Sequence, residues 1–425
     1  MTKLNEDQVR GIKNDLSAKL LTQQQIAEKY GCSRSNISDI ACGRVHKEVR
    51  AELEMDEQEA QMFKLKSEIE HLREERNSYK RQLRGAAKTQ GLFQAIVDEL
   101  DGSGCIKPMR GLPSARTEFK PTKNQTVEHL VMHLSDGHHD QIVTPDDTGG
   151  LETYNFPISM CRAERYVDAT LKWTQQTLAP QFYFPSLTVL AYGDHTSGEI
   201  HGAVPRSYFR NAFKNAIAIG QLHSLMYRDL APYFEQVNIV YVPGNHGRRS
   251  RKKDYLGAHD NWDYLIAKTA ELYLQDIDNI NFVIPNSFSA NVNIGGVGFH
   301  VFHGDDVRSS LGIPWYGLEK RRHRLMALEN VREGVPIRYY CCGHFHRPGS
   351  TTEVNGEMLI NGAWPASDAY AYNSLGGFTE PSQLIHGVNP KYGITWRLPV
   401  KLRCEYEKSG PRRYRIDMMD EVSQL

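Results

Sequence analysis

The chain has 425 residues, which suggests two or three domains, and 40% of them are hydrophobic, enough for a substantial core. Its 51 Lys and Arg balance its 51 Asp and Glu, so net charge gives no case for a nucleic-acid partner and only local clustering can. No run of ~18 apolar residues is present and the polar N-terminus lacks an apolar h-region, so neither a transmembrane helix nor a signal peptide is expected, and no membrane partner.

Residues 1–47 read as a small helical domain. Val9, Ile12, Leu16 and Leu20 recur at helical spacing over Asn5–Leu20. Thr22 and Gln25 form a capping-box pair for Gln23–Tyr30, which stops at Gly31. Ser33 caps a third helix through Ile40, ending near Gly43. With small Ala27, the turn at Gly31 and apolar Ile26, Ile37 and Ile40, this stretch resembles a helix-turn-helix. That resemblance implies a DNA partner, with the second helix in the major groove. Ser33, Arg34, Ser35, Asn36 and Ser38 would then meet base edges, Arg34 suiting guanine and Asn36 adenine. Arg44, with His46 and Lys47, would add phosphate contacts. A helical hairpin used for protein contact has the same apolar pattern.

Glu48–Leu83 reads as a charged helix within a helical segment at 48–100. Met62, Leu65, Ile69, Leu72, Tyr79 and Leu83 alternate at spacings of three and four, with Arg76 in one seam position. Such a heptad stripe favours a coiled coil and hence a homodimer; a single helix packed on the next domain is the alternative. Residues 101–126 lack periodicity and read as a linker.

Residues 127–425 alternate strands and helices. Apolar strands at Val127–Ser135, Leu187–Tyr192 and Val237–Val242 are separated by helical patterns at Ser159–Leu178 and Arg206–Leu230. This order predicts an α/β fold with a largely parallel, buried sheet. Further strands are expected at Asn291–Ile294, Val297–Phe302, Ile337–Cys342, Glu357–Ile360 and Thr395–Tyr406. A sandwich of two sheets flanked by helices accommodates them. The seven cysteines are odd in number and lack C-x-x-C spacing, which predicts reduced thiols in a cytoplasmic protein.

Five short motifs carry oxygen or imidazole ligands: Asp136-Gly-His138, Gly193-Asp194, Gly244-Asn245-His246, His303-Gly304 and Gly343-His344-Phe345-His346. Four of them directly follow a strand-like run. In open α/β sheets, ligands gather at the carboxyl ends of strands. Carboxylate with imidazole suits Mn, Fe or Zn rather than Ca, and Mn is expected first. Two cations ~3.5–4 Å apart need an anionic bridge, and they can lower the pKa of a bound water toward ~7, so that hydroxide is available at neutral pH.

In this order the five motifs closely resemble the calcineurin-like metallophosphoesterase superfamily, over roughly residues 129–365. The resemblance implies a four-layer αββα sandwich holding two divalent metals. It further implies that Asp136, His138 and His346 bind one metal and Asn245, His303 and His344 the other. Asp194 would bridge them, and His246 would stand near substrate, to protonate the leaving oxygen or stabilise the transition state. Alternatively His246 orients Asp136. The chain departs from the family pattern at Gly247, where many relatives carry an acid, and at His195-Thr-Ser-Gly-Glu199, where Glu199 is the one acidic residue on offer. His139 is expected to face away from the ligands. Asp305 and Asp306 read as partners of imidazoles or as loop charges.

Local charge points to a polyanionic substrate. Arg248, Arg249, Arg251, Lys252 and Lys253 follow the third motif, and Lys320, Arg321, Arg322 and Arg324 lie in an expected helix after His303. Lys and Arg contacts to phosphate supply most non-specific DNA affinity. Trp315 and Tyr316 would stack on a base or pack in the core. With the N-terminal reader, these clusters predict a phosphodiesterase acting on DNA, similar to the repair nucleases of that superfamily. A phosphomonoesterase or protein phosphatase tethered to DNA, and a DNA-binding regulator with an inactive phosphoesterase domain, are the alternatives.

Overall fold

The structure is a computed structural model that describes residues 4–49, 92–109, 120–200, 203–249, 257–308, 314–329, 334–353 and 355–417. Two compact units are present, residues 1–88 and 89–425.

The first unit has three helices, α1 (Glu6–Ala18), α2 (Gln23–Lys29) and α3 (Arg34–Ala41). Each begins at a side chain that satisfies a free backbone N–H: Asn5 accepts from Gln8, Thr22 from Gln25 and Ser33 from Asn36. Ile12, Ile26, Ala27, Ile37 and Ile40 form one buried cluster between them. The Lys13 ammonium donates to the carbonyls of His46 and Val49, at 2.6 Å each, and ties the chain after α3 back to α1. The heptad stripe, and with it the expected homodimer contact, falls in residues 50–91, outside the described residues.

The second unit begins earlier than the sequence suggests. The start of the expected 101–126 linker is still helix, α4 (Leu92–Ser103). Phe93, Val97 and Ile106 are buried in the main core, and Phe93 meets Trp262 edge-on at 4.8 Å. Residues 93–106 thus contribute to the core expected to begin at 127. Helical spacing in α4 shows an apolar face but not which domain covers it.

A six-stranded sheet has the order β13-β12-β2-β4-β5-β6, using β2 (His129–Leu134), β4 (Ser186–Ala191), β5 (Gln236–Tyr241), β6 (Ile280–Val283), β12 (Ser382–Asn389) and β13 (Gly393–Lys401). The β2-β4-β5-β6 stretch is parallel, while β12 runs antiparallel to β2 and to β13. A second sheet of five has the order β10-β11-β9-β8-β7: β7 (Ser289–Ile294), β8 (Val297–Phe302), β9 (Ile337–Cys342), β10 (Gly349–Glu353) and β11 (Gly356–Ile360). A short parallel pair, β1 (Thr126–Val127) with β3 (Phe182–Tyr183), completes the strands.

Val131, Leu190 and Val240 from the first sheet share a buried cluster with Phe299, Val301, Tyr339 and Leu359 from the second. A larger cluster joins Leu130, Met132, Val189 and Ile239 to helices α5 (Phe156–Lys172), α6 (Ala212–Leu230) and α7 (Trp262–Leu274). A third joins Phe302, Tyr340 and Met358 to Leu318 of α8 (Trp315–Glu329). Residues of β2, β4 and β5 that alternate between faces are thus apolar on both, as strands covered on both sides require.

Several expected limits shift. The helix expected from Arg206 begins at Ala212, where Asn211 caps it through Lys214 N–H. The last expected strand, Thr395–Tyr406, is replaced by Gly393–Lys401, and the described residues after it, to 417, form turns and bends. Among the described residues, no helix is long and apolar enough to cross a membrane, and all seven cysteines are free thiols.

Candidate metal centre

Parallel β2, β4 and β5 end side by side, so their following loops meet at one edge. Backbone bonds continue past the strands: Asp136 N–H to Gly193 O, His138 N–H to Asp194 O and His139 N–H to His195 O, each at 3.0 Å. Five of the residues expected as ligands sit in unusual backbone conformations. Asp136, His138, Asp194, His344 and His346 all have positive φ, between 40° and 69°. Non-glycine residues avoid this region, and such strain concentrates at functional sites.

Three overlapping groups result. Asp136, His138 and His346 form one; His138, Asp194 and His246 the next; Asp194, His303 and His344 the third, with ligand atoms within 4.8 Å in each. His138 and Asp194 are the shared members, so the groups make one continuous cluster. Asn245 joins it through Oδ1, 3.0 Å from His303 Nε2. All seven residues expected as ligands, and His246, are brought together.

The packing around them is close. A Cβ on Gly343 would lie 2.2 Å from Asp136 Oδ2, and one on Gly244 would lie 2.2 Å from Asp194 Oδ1. Only glycine lets these turns press against the carboxylates. Ser135 Oγ donates to Asp136 Oδ2 at 2.6 Å and His344 N–H to Asp136 Oδ1 at 2.8 Å. His246 N–H donates to Asp194 Oδ1 at 2.7 Å, while the His246 ring Nδ1 lies 3.0 Å from Ser197 O. The His303 Nδ1–H is directed at Tyr192 O, 2.9 Å away, which leaves Nε2 as its ligand atom, 2.9 Å from Asp194 Oδ2.

The electrostatics ask for positive charge. Burial works against ionising Asp194, yet the surrounding imidazoles, His303 foremost, hold it well below the usual carboxylate range. Burial also opposes a charged His303, but the Asp194 carboxylate carries it up to about 10. His346 is raised against burial by Asp136. By contrast, burial and the neighbouring His246 push His138 well down. Both ring nitrogens of buried His138 lack a hydrogen-bond partner. An orphaned imidazole beside two ionised carboxylates forms a donor set that fits divalent transition metals.

Other residues expected near the site have different partners. Arg248 Nε bonds the carbonyl of Asn245 at 3.0 Å, and Arg249 pairs with Asp260 at 3.0 Å. Arg251, Lys252 and Lys253 lie outside the described residues. Arg321 pairs with Asp306 and lies over the Phe302 ring, while Arg322 is buried over Tyr340. Trp315 packs against the core, and Tyr316 is 75% exposed. Glu199 accepts the Trp262 indole N–H at 2.8 Å and belongs to none of the ligand groups. In the first unit Ser33, Arg34 and Ser35 are exposed and Asn36 and Ser38 half-buried. Ser33 caps α3, and exposed Arg44 lies 3.3 Å from Asp39.

The sequence did not point to Asp263. Its buried carboxylate accepts from Gly244 N–H at 2.8 Å and from Asp194 and His195 N–H at 3.1 Å each, locking the second and third motif loops together. Burial and the charge of Asp194 push it up to about 6. Its position in the first turn of α7, after the Asn261 cap, was the available signal. Asp140 does similar work, accepting from Ser197 N–H and Asn215 Nδ2, each at 2.7 Å. The departure at Gly247 has a steric reason, since a Cβ there would lie 2.0 Å from Asn261 Oδ1 and 3.0 Å from Asp263 Oδ2. His139 and His195 face a different group, with His223.

No family model matches this chain, and no curated protein matches it. Solved structures do. An archaeal phosphodiesterase is 10% identical, with 64% of this chain and 99% of that chain covered and a TM-score of 0.29. Zinc-complexed Vps29 of Entamoeba histolytica is 11% identical, with 64% and 99% covered and a TM-score of 0.27. A predicted phosphoesterase of Streptococcus pneumoniae is 9% identical, with 64% and 98% covered and a TM-score of 0.25. At such identities and TM-scores these likenesses carry no weight for function, which rests on the site.

Proposed function

We propose that the second unit is a calcineurin-like metallophosphoesterase of αββα architecture that hydrolyses phosphodiester bonds in DNA. The carrying observation is the continuous cluster running from Asp136 through His138 and Asp194 to His303 and His344. Asp136, His138 and His346 would hold one divalent cation, and Asn245, His303 and His344 the other, with Asp194 between. Mn is the first candidate, with Fe and Zn next. When bound, such a pair supplies Lewis acidity to the phosphoryl oxygens and lowers the pKa of a water toward ~7.

The chain's own residues contribute position and a proton site. Asp263 and Asp140 fix the loops that carry the ligands. His303 is oriented through Nδ1 by Tyr192 O, and His246 by the Ser197 carbonyl. That carbonyl accepts the His246 Nδ1–H and orients the ring, whose Nε2 would serve the leaving oxygen. His246 lies within the same cluster, its ring 4.7 Å from that of His138.

DNA as substrate is supported by the N-terminal unit. Its three capped helices fit a helix-turn-helix, with Arg34 and Ser35 exposed at the start of α3. Residues 48–83 would pair two chains, so that two such helices meet two half-sites. Linear and circular DNA, incubated with the full chain and Mn, Zn, Fe or Mg, test this reading. Cleavage that is lost in Asp194→Asn with DNA binding intact is the expected result, and Arg34→Ala should weaken binding while sparing diester turnover. Turnover of phosphomonoesters alone would replace the nuclease by a phosphatase tethered to DNA. A chain that takes up none of these metals would be a DNA-binding regulator.

A further inference from the structure

Behind the cluster lies a second, separate group of imidazoles. His139, His195 and His223 each place a ring nitrogen within 4.8 Å of the other two, and all three are fully buried. His139 follows β2, His195 follows β4, and His223 lies in α6. The His139 and His223 rings present Nε2 to Nε2 at 3.1 Å. Their Nδ1 atoms are engaged on the far side, His139 with Ser159 Oγ at 2.6 Å and His223 with Tyr241 OH at 2.8 Å. Tyr241 OH is in turn 2.8 Å from Tyr227 OH. His195 lies 4.9 Å ring to ring from His223, and neither of its nitrogens has a hydrogen-bond partner.

We infer that His139, His195 and His223 form a second metal site, enclosed in the fold, that takes one zinc-like divalent cation. Three features carry this. First, the outer Nδ1 bonds match how metal-binding imidazoles are held, since the second ring nitrogen normally donates to a fixed acceptor. When Ser159 Oγ and Tyr241 OH accept those protons, both Nε2 atoms, otherwise hydrogen-bonded to each other, carry lone pairs for a shared cation. Second, two nitrogens bound ~2.0–2.1 Å from one tetrahedral zinc lie about 3.3–3.4 Å apart, close to the spacing here. Third, both buried nitrogens of His195 lack a hydrogen-bond partner, and a fold seldom leaves such groups unsatisfied. Three neutral imidazoles suit zinc, copper, iron or nickel, and the fourth position falls to water.

The site would act as a brace. His139 is the residue after His138, and His195 the residue after Asp194, so a cation there pins both ligand loops to α6. It needs no assumption about the phosphoesterase reading.

Crystals of the full chain grown with zinc, with anomalous scattering measured on both sides of the zinc edge, decide the matter. A peak in bonding range of nitrogens from all three rings is expected. Its absence at saturating zinc, with water or nothing between the rings, overturns the inference whether or not the Asp136–Asp194 cluster fills. In solution, His223→Leu should lose about one equivalent of tightly held zinc, and Asp194→Asn should keep it. An unchanged zinc content in folded His223→Leu overturns the inference, and the crystal measurement stands alone if that variant does not fold.

Discussion

His303 shows how a single residue reports on the whole cluster. Its Nδ1–H is directed at Tyr192 O, so the proton that titrates is on Nε2, facing Asp194. The folded-state value near 10 lies above the ordinary value of 6.5, so at neutral pH the metal-free ring is charged. A metal needs that lone pair, so uptake must expel the proton. Calorimetric metal titrations in buffers of different ionisation enthalpy should show at least one proton released at pH 7, since His346 is raised as well, with affinity rising as pH rises. Proton-neutral uptake would place the metal elsewhere. Gly343 gives a steric counterpart: Gly343→Ala puts a methyl 2.2 Å from Asp136 Oδ2. It should cut metal affinity sharply, read by equilibrium dialysis, while far-ultraviolet circular dichroism stays unchanged.

At the scale of elements, the loops after β2, β4 and β5 are held by buried carboxylates rather than by length or rigidity. Asp263 takes three backbone N–H groups. Asp263→Ala orphans all three, and at about 1–3 kcal/mol for each buried donor it should lower unfolding stability by at least ~3 kcal/mol. Urea unfolding checks this, and metal affinity should fall with it. A buried Arg162 on α5 pairs at 2.9 Å with Glu152, in the loop before the helix, and at 2.9 Å with Glu407 of the C-terminal segment, and it donates to the carbonyl of Trp364. Arg162→Met leaves Glu152 with only the partly exposed Arg403, and a cost of about 3–5 kcal/mol is expected in the same assay.

These elements also show what a sequence can and cannot reveal. The strands β2, β4, β5, β8 and β9 were legible because each is a continuous apolar run, and the ligands were legible because they directly follow such runs. Strand β12 was missed: His386 and Gln383 interrupt its pattern, though both are buried beside β2 or its loop. Helix α7 was missed because it is apolar nearly all round, with its Tyr and Trp residues packed rather than patterned. Asp263, Asp140 and the His139–His195–His223 group act through contacts between residues distant in sequence, and no local spacing encodes those. The basic run after His246 read as one surface, yet Arg248 and Arg249 are engaged with their own loop and Asp260.

For the molecule as a whole, the two units contribute different chemistry: a small helical domain with its own core, and an α/β body whose strand ends converge on one acidic, imidazole-rich edge. Hydrolysis of phosphodiesters at this edge is the function proposed for it. Its most direct test is the Mn-dependent turnover of bis-p-nitrophenyl phosphate against mono-p-nitrophenyl phosphate, by the full chain and by Asp194→Asn. Diester turnover that requires added metal and disappears in Asp194→Asn is the predicted result. Turnover confined to the monoester, or diester turnover that survives Asp194→Asn, would contradict it.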